Sequence, residues 1–524
     1  MIESNHSQNL AAHSRAGCFP ALLLLAAMLA TTAPAQTFTT LHNFTASRKN
    51  FSGFYTNSDG SNPIAGLLLS GNVLYGTAAT GGRSGSGTVF AVNTDGTGFT
   101  NLHPFTATSG GEGFWGPNGD GADPQGALIM SGNILYGTAA AGGFSNSGAV
   151  FAVNNNGASF SNLYSFTGGN DGYFLKAGLI LLGNTLYGTA YEGGTAFTGT
   201  VFAVNTDGAG FTNLHSFSKT SFPSDTNSDG ADPIAELVLS GNTLYGTAPN
   251  GGPQGGGTVF AVNTDGTGFT NLHDFTATSL DAPYTNSDGA NPVAGLVLSG
   301  DTLYGVANGG GSSGTGAVFA LQTDGTGFTN LHSFTAATST GSPHYLQINS
   351  DGVYPESTLV LSGNTLYGSA NGGGSAGTGT LFAVNTNGTD FATLYSFSIV
   401  SGSTAYPSAG TNSDGDGPVG KLIISGNTLY GTANAGGSAG AGTVFSLSFP
   451  SPQLAITASD TNVILTWPAN VSGFSYSGYT LQSTTNLGSP AAWSTVAPGP
   501  VVVNGLFTLT NTLSGTKLFY RLGQ

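Results

Sequence analysis

Thr243-Leu244-Tyr245-Gly246-Thr247-Ala248, a glycine-rich loop, then Thr258-Val259-Phe260-Ala261-Val262-Asn263: this stretch decides the fold. Upstream of it, Pro233 to Ser240 (PIAELVLS) reads as a first strand, A, joined by the Gly241-Asn242 turn to strand B, Thr243 to Ala248. Strand C is Thr258 to Asn263, and the Thr264-Asp265-Gly266 turn leads to strand D, Phe269 to Phe275. Asn, Asp and Gly accept the positive φ of tight hairpin turns, so short β-branched and aromatic runs between them read as antiparallel strands. No segment carries a helical period long enough to compete.

The same unit recurs along the chain. Its Leu-Tyr-Gly tyrosine stands at Tyr75, Tyr136, Tyr187, Tyr245, Tyr304, Tyr367 and Tyr430, and subtracting neighbours gives spacings of 61, 51, 58, 59, 63 and 63 residues. Four antiparallel strands per repeat describe a propeller blade. The seventh copy stops at strand C, Thr443 to Leu447, while an orphan strand D, Thr39 to Thr45, precedes the first strand A. Counted together they give seven of every strand. The chain is therefore expected to be all-β: a seven-bladed β-propeller over residues 36–449, with its N-terminal strand closing the last blade. An open solenoid would leave two exposed sheet edges.

Pro450-Ser451-Pro452 reads as a linker, and residues 453–524 change pattern. Short alternating strands with an early Trp467 and a late Tyr520 predict a small β-sandwich of fibronectin type III character. The first 35 residues read as a secretory leader: Arg15 ends a polar region, Phe19 to Ala30 is apolar, and Ala33-Pro34-Ala35 is a small-x-small cleavage site. Cleavage after Ala35 makes the protein secreted or displayed at the cell surface. The one cysteine, Cys18, lies in the leader, so the mature chain is expected to have no disulfide. No apolar run reaches membrane-spanning length.

Gly-Asn-Thr-Leu-Tyr-Gly-Thr-Ala, followed by a glycine pair and Gly-Thr-Val-Phe, resembles the GloVer tandem repeat of bacterial secreted proteins. The resemblance covers residues 37–449 and recurs in every copy. It implies an exported protein of the choice-of-anchor kind, in which one repeat region is joined to different C-terminal anchoring modules. It implies no activity.

Only 6% of the residues are charged, and the formal net charge is −16. Nucleic acid and anionic membrane surfaces both reward Lys/Arg clusters, and the sequence has none, so neither is an expected partner. Polysaccharide or a surface protein is, with the chain itself a monomer. There is no nucleophile elbow with triad partners and no metal-binding Cys or His pair, so a noncatalytic interaction platform is the leading reading. The alternatives are a polysaccharide-degrading hydrolase or lyase using loop carboxylates, and a structural surface-layer component.

D–A and B–C loops share one face of a propeller, and residues there that break the repeat are the candidate ligand contacts: Phe54, Tyr55, Arg83, Phe114, Trp115, Tyr284, Tyr345 and Tyr406. Exposed rings suit stacking against sugar faces. The D–A segments also repeat Asn-x-Asp-Gly, and one copy matches a calcium-loop pattern from Asp225 to Glu236. Asp225, Asn227 and Asp229 are thus candidate calcium ligands, the only cofactor the sequence allows. The competing reading is an Asx turn that aims the chain into the next blade. Five strand-D histidines, His42, His103, His215, His273 and His332, occupy equivalent positions in different blades and are expected to pack rather than bind metal.

Overall fold

A computed structural model describes residues 36–110, 116–339, 346–401, 410–471, 473–487, 491–512 and 518–523. Seven antiparallel sheets follow one another, each with strands in the order A-B-C-D, and the sixth carries a further short strand, Val353–Pro355, beside B. The seventh sheet takes A, B and C from Ile423–Ser425, Thr428–Ala433 and Thr443–Ser448, and D from Thr37–Asn43 at the other end of the chain. The propeller closes as the repeat count predicts. Strand A is shorter than PIAELVLS suggests. Only its end, such as Val238–Ser240, pairs with B, because the preceding residues leave the ladder to line the ring axis.

Blades adhere through apolar seams that repeat around the ring, the seam between blades seven and one included. In the fourth blade the ring of Phe260 lies over Gly246, where a Cβ would sit 2.5 Å from Cζ, so strand B needs glycine there. Each fully buried Phe contributes roughly 1.5–3 kcal/mol. Strand B also ties to the next blade: the hydroxyls of Thr138, Thr247 and Thr432 donate to the carbonyls of Ala177, Ala294 and Ala65 at 2.7–2.9 Å. The last of these crosses the closure.

The strand-D histidines and the Asn-x-Asp-Gly turns, separate features in the sequence, form one device. His42, His103, His215, His273 and His332 hydrogen-bond through Nε2 to Asp59, Asp120, Asp229, Asp288 and Asp351 at 3.0–3.1 Å. Each ring stacks on a phenylalanine of the following blade at 3.6–3.8 Å. Tyr164 and Tyr395 take the same place toward Asp171 and Asp414. A backbone N–H and a hydroxyl from the next Thr or Ser complete each carboxylate's shell, as Thr106 does for Asp120.

Burial pushes these buried carboxyls up, but the bonds from His and Thr or Ser outweigh it, so Asp59, Asp120, Asp229, Asp288 and Asp351 sit below 3.8. A lowered folded-state value gives stability that is complete above the unfolded value of 3.8 and lost as pH falls through the folded one. Asp123 and Asp416 act oppositely: burial raises both to about 6, which favours the folded state as pH falls from 6. Thermal melts should therefore move to a higher midpoint as pH falls from 7 to 5, as Asp123 and Asp416 take up protons, and decline below about pH 4, as the turn carboxylates do. A decline already under way at pH 6 would overturn this account of the turns.

The closing blade has a structural gap. In the other blades the C–D turn lies over the strand-D leucine of the blade before: Gly96 over Leu41, Gly157 over Leu102, Gly388 over Leu331. Blade seven has no such turn, because its C and D strands come from opposite ends of the chain. The C-terminal sandwich supplies a substitute hairpin, Asn470–Val471 with Phe474–Ser475. Gly473 lies where a Cβ would meet Ala392 and Leu394 at 2.7–2.8 Å. Phe474 and Tyr476 are buried among Tyr367, Leu394, Leu429, Leu447 and Phe449, and the Ser475 N–H donates to the Tyr367 hydroxyl at 2.9 Å. The sandwich itself faces Ala455–Ser459, Asn462–Pro468, Leu506–Thr512 and Val501–Val503 against Thr480–Thr484, Ser494–Thr495 and Phe519–Gly523 around Trp467.

Candidate functional site: the loop face and axial pocket

D–A and B–C loops lie together on one face, because each D–A loop hydrogen-bonds the B–C loop of the blade it enters. The Asn57 carbonyl oxygen of the side chain accepts from Gly60 and Gly82 N–H, and its amide donates to Thr45 and Gly60 carbonyls. Asn227 does the same with Gly230, Gly252 and Ser218. The turn role predicted for these asparagines is present in full.

Among the described residues of the propeller, Phe51, Phe144, Phe197, Phe222, Leu280, Tyr284 and Ile399 are large apolar side chains more than half exposed. Phe144 and Phe197 stand on B–C loops and the others on D–A loops, so all belong to this face. Tyr284 was expected from the sequence, and Arg83 is exposed on its B–C loop as placed. Phe54 and Tyr55 are half-buried: Phe54 packs over Gly85, and Tyr55 lies beside Lys49 with the ammonium 5.8 Å from the ring centre. Phe114, Trp115, Tyr345 and Tyr406 lie outside the described residues, as do the leader and Cys18. Sequence reading passed over Phe144, Phe197, Phe222 and Leu280, although the same test, an apolar residue breaking the repeat in a loop, finds them.

The calcium-like pattern is divided by the fold. Asp225 is exposed in the loop, Asn227 holds backbone groups, and Asp229 is engaged by His215 and Ser218. Glu236, the twelfth position, lies in the axial channel. No group of three or more His, Cys, Asp or Glu among the described residues is arranged to hold a metal ion.

That channel opens on the loop face as a cavity of about 330 Å³ lined by all seven strand-A segments. Pro-Ile/Val-Ala-Gly-Leu recurs at the axis in blades one and five (63–67, 292–296), and the other blades depart from it. The layer nearer the loops consists of Ile64, Gln125, Lys176, Ile234, Val293, Glu356 and Val419. Two residues further along each strand lies a second layer, where Lys421 Nζ of blade seven meets Glu236 Oε1 of blade four at 2.5 Å. This pair spans the axis in a layer whose other members are Gly66, Ala127, Gly178, Gly295 and Thr358.

Polar groups in the upper layer are held in place. Glu356 accepts from Asn308 at 2.9 Å and Asn371 at 3.2 Å, and burial raises its carboxyl. Lys176 Nζ sits 3.7 Å over the Tyr191 ring; burial lowers it, and Asp123, Glu192 and Asp232 partly offset that. Gln125 donates to Asp123 at 2.7 Å. Blade three has the shortest D–A loop, running only from Ser165 to Ile180, which leaves this side of the mouth least covered.

The repeat family can now be set beside this geometry. The Gloeobacter/Verrucomicrobia repeat matches residues 30–223, 113–285, 220–347 and 284–411. The chain belongs to this family. Within this chain the blades share the Leu-Tyr-Gly strand and differ from one another at the axis and in the loops. No curated protein matches the chain. Among solved structures it is similar to oligogalacturonate lyase from Vibrio parahaemolyticus (10% identity, 80% of this chain and 98% of that one, TM-score 0.45). It is also similar to a putative 6-phosphogluconolactonase from Bacteroides uniformis (16% identity, 77% and 93%, TM-score 0.41) and to TolB from Acinetobacter baumannii (12% identity, 61% and 63%, TM-score 0.35).

Proposed function

We propose that the protein is an exported, noncatalytic surface protein whose propeller is a platform for a polysaccharide, bound on the loop face. The observation that carries the reading is the confinement of the strongly exposed apolar side chains to that face, around the axial cavity. They are spread over six loops around the ring, with Leu280 and Tyr284 sharing one. A protein partner is better served by one contiguous apolar patch, whereas a sugar chain crossing the face uses spaced platforms for its apolar ring faces. A net charge of −16 favours a neutral polymer over a uronate-rich one. Residues 1–35 serve as the leader in this reading. The fibronectin III-like sandwich serves as spacer or attachment module, and its hairpin 470–475 couples it to blade six.

The test is retention of residues 36–524 on a panel of insoluble and immobilised polysaccharides. We expect retention on a neutral polymer, weakened about tenfold when Phe197 and Phe222 are both replaced by alanine, roughly the 1–1.5 kcal/mol that aromatic contacts of this kind contribute. No retention on any polymer sinks the reading.

A further inference from the structure

The axial cavity has an arrangement that sevenfold repetition alone would not produce. Strand A of an undecorated blade presents Ile or Val and then Gly to the axis, as in blades one and five. The substitutions that break this pattern are segregated. In the upper layer, Ile64 and Val419 of adjoining blades one and seven make one apolar wall, and Ile234 and Val293 of adjoining blades four and five make another. Gln125 and Lys176, in blades two and three, make a polar pole between those walls, and Glu356, in blade six, makes the opposite pole. Both poles are fixed by neighbours outside the cavity, Lys176 by Tyr191 and Glu356 by Asn308 and Asn371. Polar groups locked by their own support are the mark of a binding constellation.

Below them the Glu236–Lys421 pair crosses the axis. Both partners come from substitutions of the small residue at the same repeat position, glycine in blades one, three and five. The pair bars the middle of the channel, so the cavity above it is entered from the loop face, and its 330 Å³ falls at the small end of the range for organic ligands.

We propose that this pocket receives the terminal sugar unit of the polysaccharide bound on the loop face. The assignment rests on the functional reading above and deepens it. A pyranose has two apolar C–H faces and a rim of hydroxyls. Two opposed apolar walls with polar poles between them match that distribution, the faces lying against Ile64/Val419 and Ile234/Val293. The rim hydroxyls meet Lys176 and Gln125 on one side and Glu356 on the other. An ion pair crossing the axis leaves room for a chain end above it and obstructs a chain threading through. The rings on the outer loops then meet units further along the same chain.

Short oligosaccharides of the polymer retained in the polysaccharide test provide the probe, used as competitors with the full chain 36–524. We expect the disaccharide to displace the protein from the polymer within tenfold of the hexasaccharide's midpoint, the margin the outer loop rings supply, because the end unit makes the main contacts. Glu356→Gln and, separately, Ile64→Trp, which fills the cavity, should each weaken disaccharide binding at least tenfold in titration calorimetry while the melting temperature holds. Competition that grows steadily with chain length, or disaccharide binding unchanged in both variants, overturns the pocket and leaves the loop face as a platform without it. Absence of retention on every polymer is the separate result that removes the functional reading itself.

Discussion

Replacing Phe474 with alanine should cost about 3–5 kcal/mol of stability, the usual range for a fully buried phenylalanine, and the damage should appear in the propeller. Phe474 belongs to the C-terminal sandwich, yet it is 1% exposed and lies among Tyr367, Leu394 and Phe449. It stacks on Phe449 at 4.3 Å. Removing the ring leaves a cavity at the seam between blades six and seven, where no C–D turn can move in to fill it. Amide hydrogen exchange should accelerate first in Thr365–Gly372 and Thr428–Ala433, the B strands flanking that seam. Val502→Ala, on an exposed strand of the same sandwich, should change stability by less than about 0.5 kcal/mol. Equal effects of the two substitutions would mean that the hairpin does not brace the ring.

The larger effect is expected from the other end of the chain. A protein beginning at Thr45 lacks Thr37–Asn43 and Phe44, and with them strand D of blade seven. Phe44 is buried against blade one, Leu41 lies in the same seam, and Phe38 stacks on Tyr395 at 4.2 Å. Three apolar side chains at roughly 1.5–3 kcal/mol each approach the whole stability of an ordinary domain, about 5–15 kcal/mol. Strand Thr443–Ser448 would also become an open edge, a template for pairing with other chains. We expect loss of the single cooperative melt and concentration-dependent association by light scattering, both reversed by adding a synthetic peptide of residues 36–46. A monomer that melts like the full chain would show that the ring does not depend on this strand.

These two segments show how differently parts of the molecule were legible. The orphan strand D could be read because it repeats the Leu-His/Tyr-x-Phe spacing found in every blade. Periodic burial writes itself into sequence, and the missing strand of the seventh copy demanded it. The role of Gly473 and Phe474 could not be read. They belong to no repeat, and they matter only because the closing blade lacks a turn, a defect visible once the ring is shut. The histidines and the Asn-x-Asp-Gly turns were both noticed, but as separate features. His215 and Asp229 are 14 residues apart and meet because strand D runs directly beneath the following loop.

The candidate site divides along the same line. Loop aromatics such as Tyr284 announce themselves locally, since a large apolar residue in a polar loop is conspicuous wherever it lies. The axial residues do not. Gln125, Lys176, Glu356 and the Glu236–Lys421 pair are single departures from a short motif, and each alone reads as harmless variation on a strand. Sequence alone determined the blade, the number of blades and the way the ring closes, because hairpin turns and alternating burial are properties of short segments. Only the tertiary structure decided what lies at the axis. Curling seven sheets into a ring brings residues 185 positions apart, Lys421 and Glu236, into hydrogen-bonding distance across the axis, and turns scattered substitutions into the walls, poles and crossbar of one pocket.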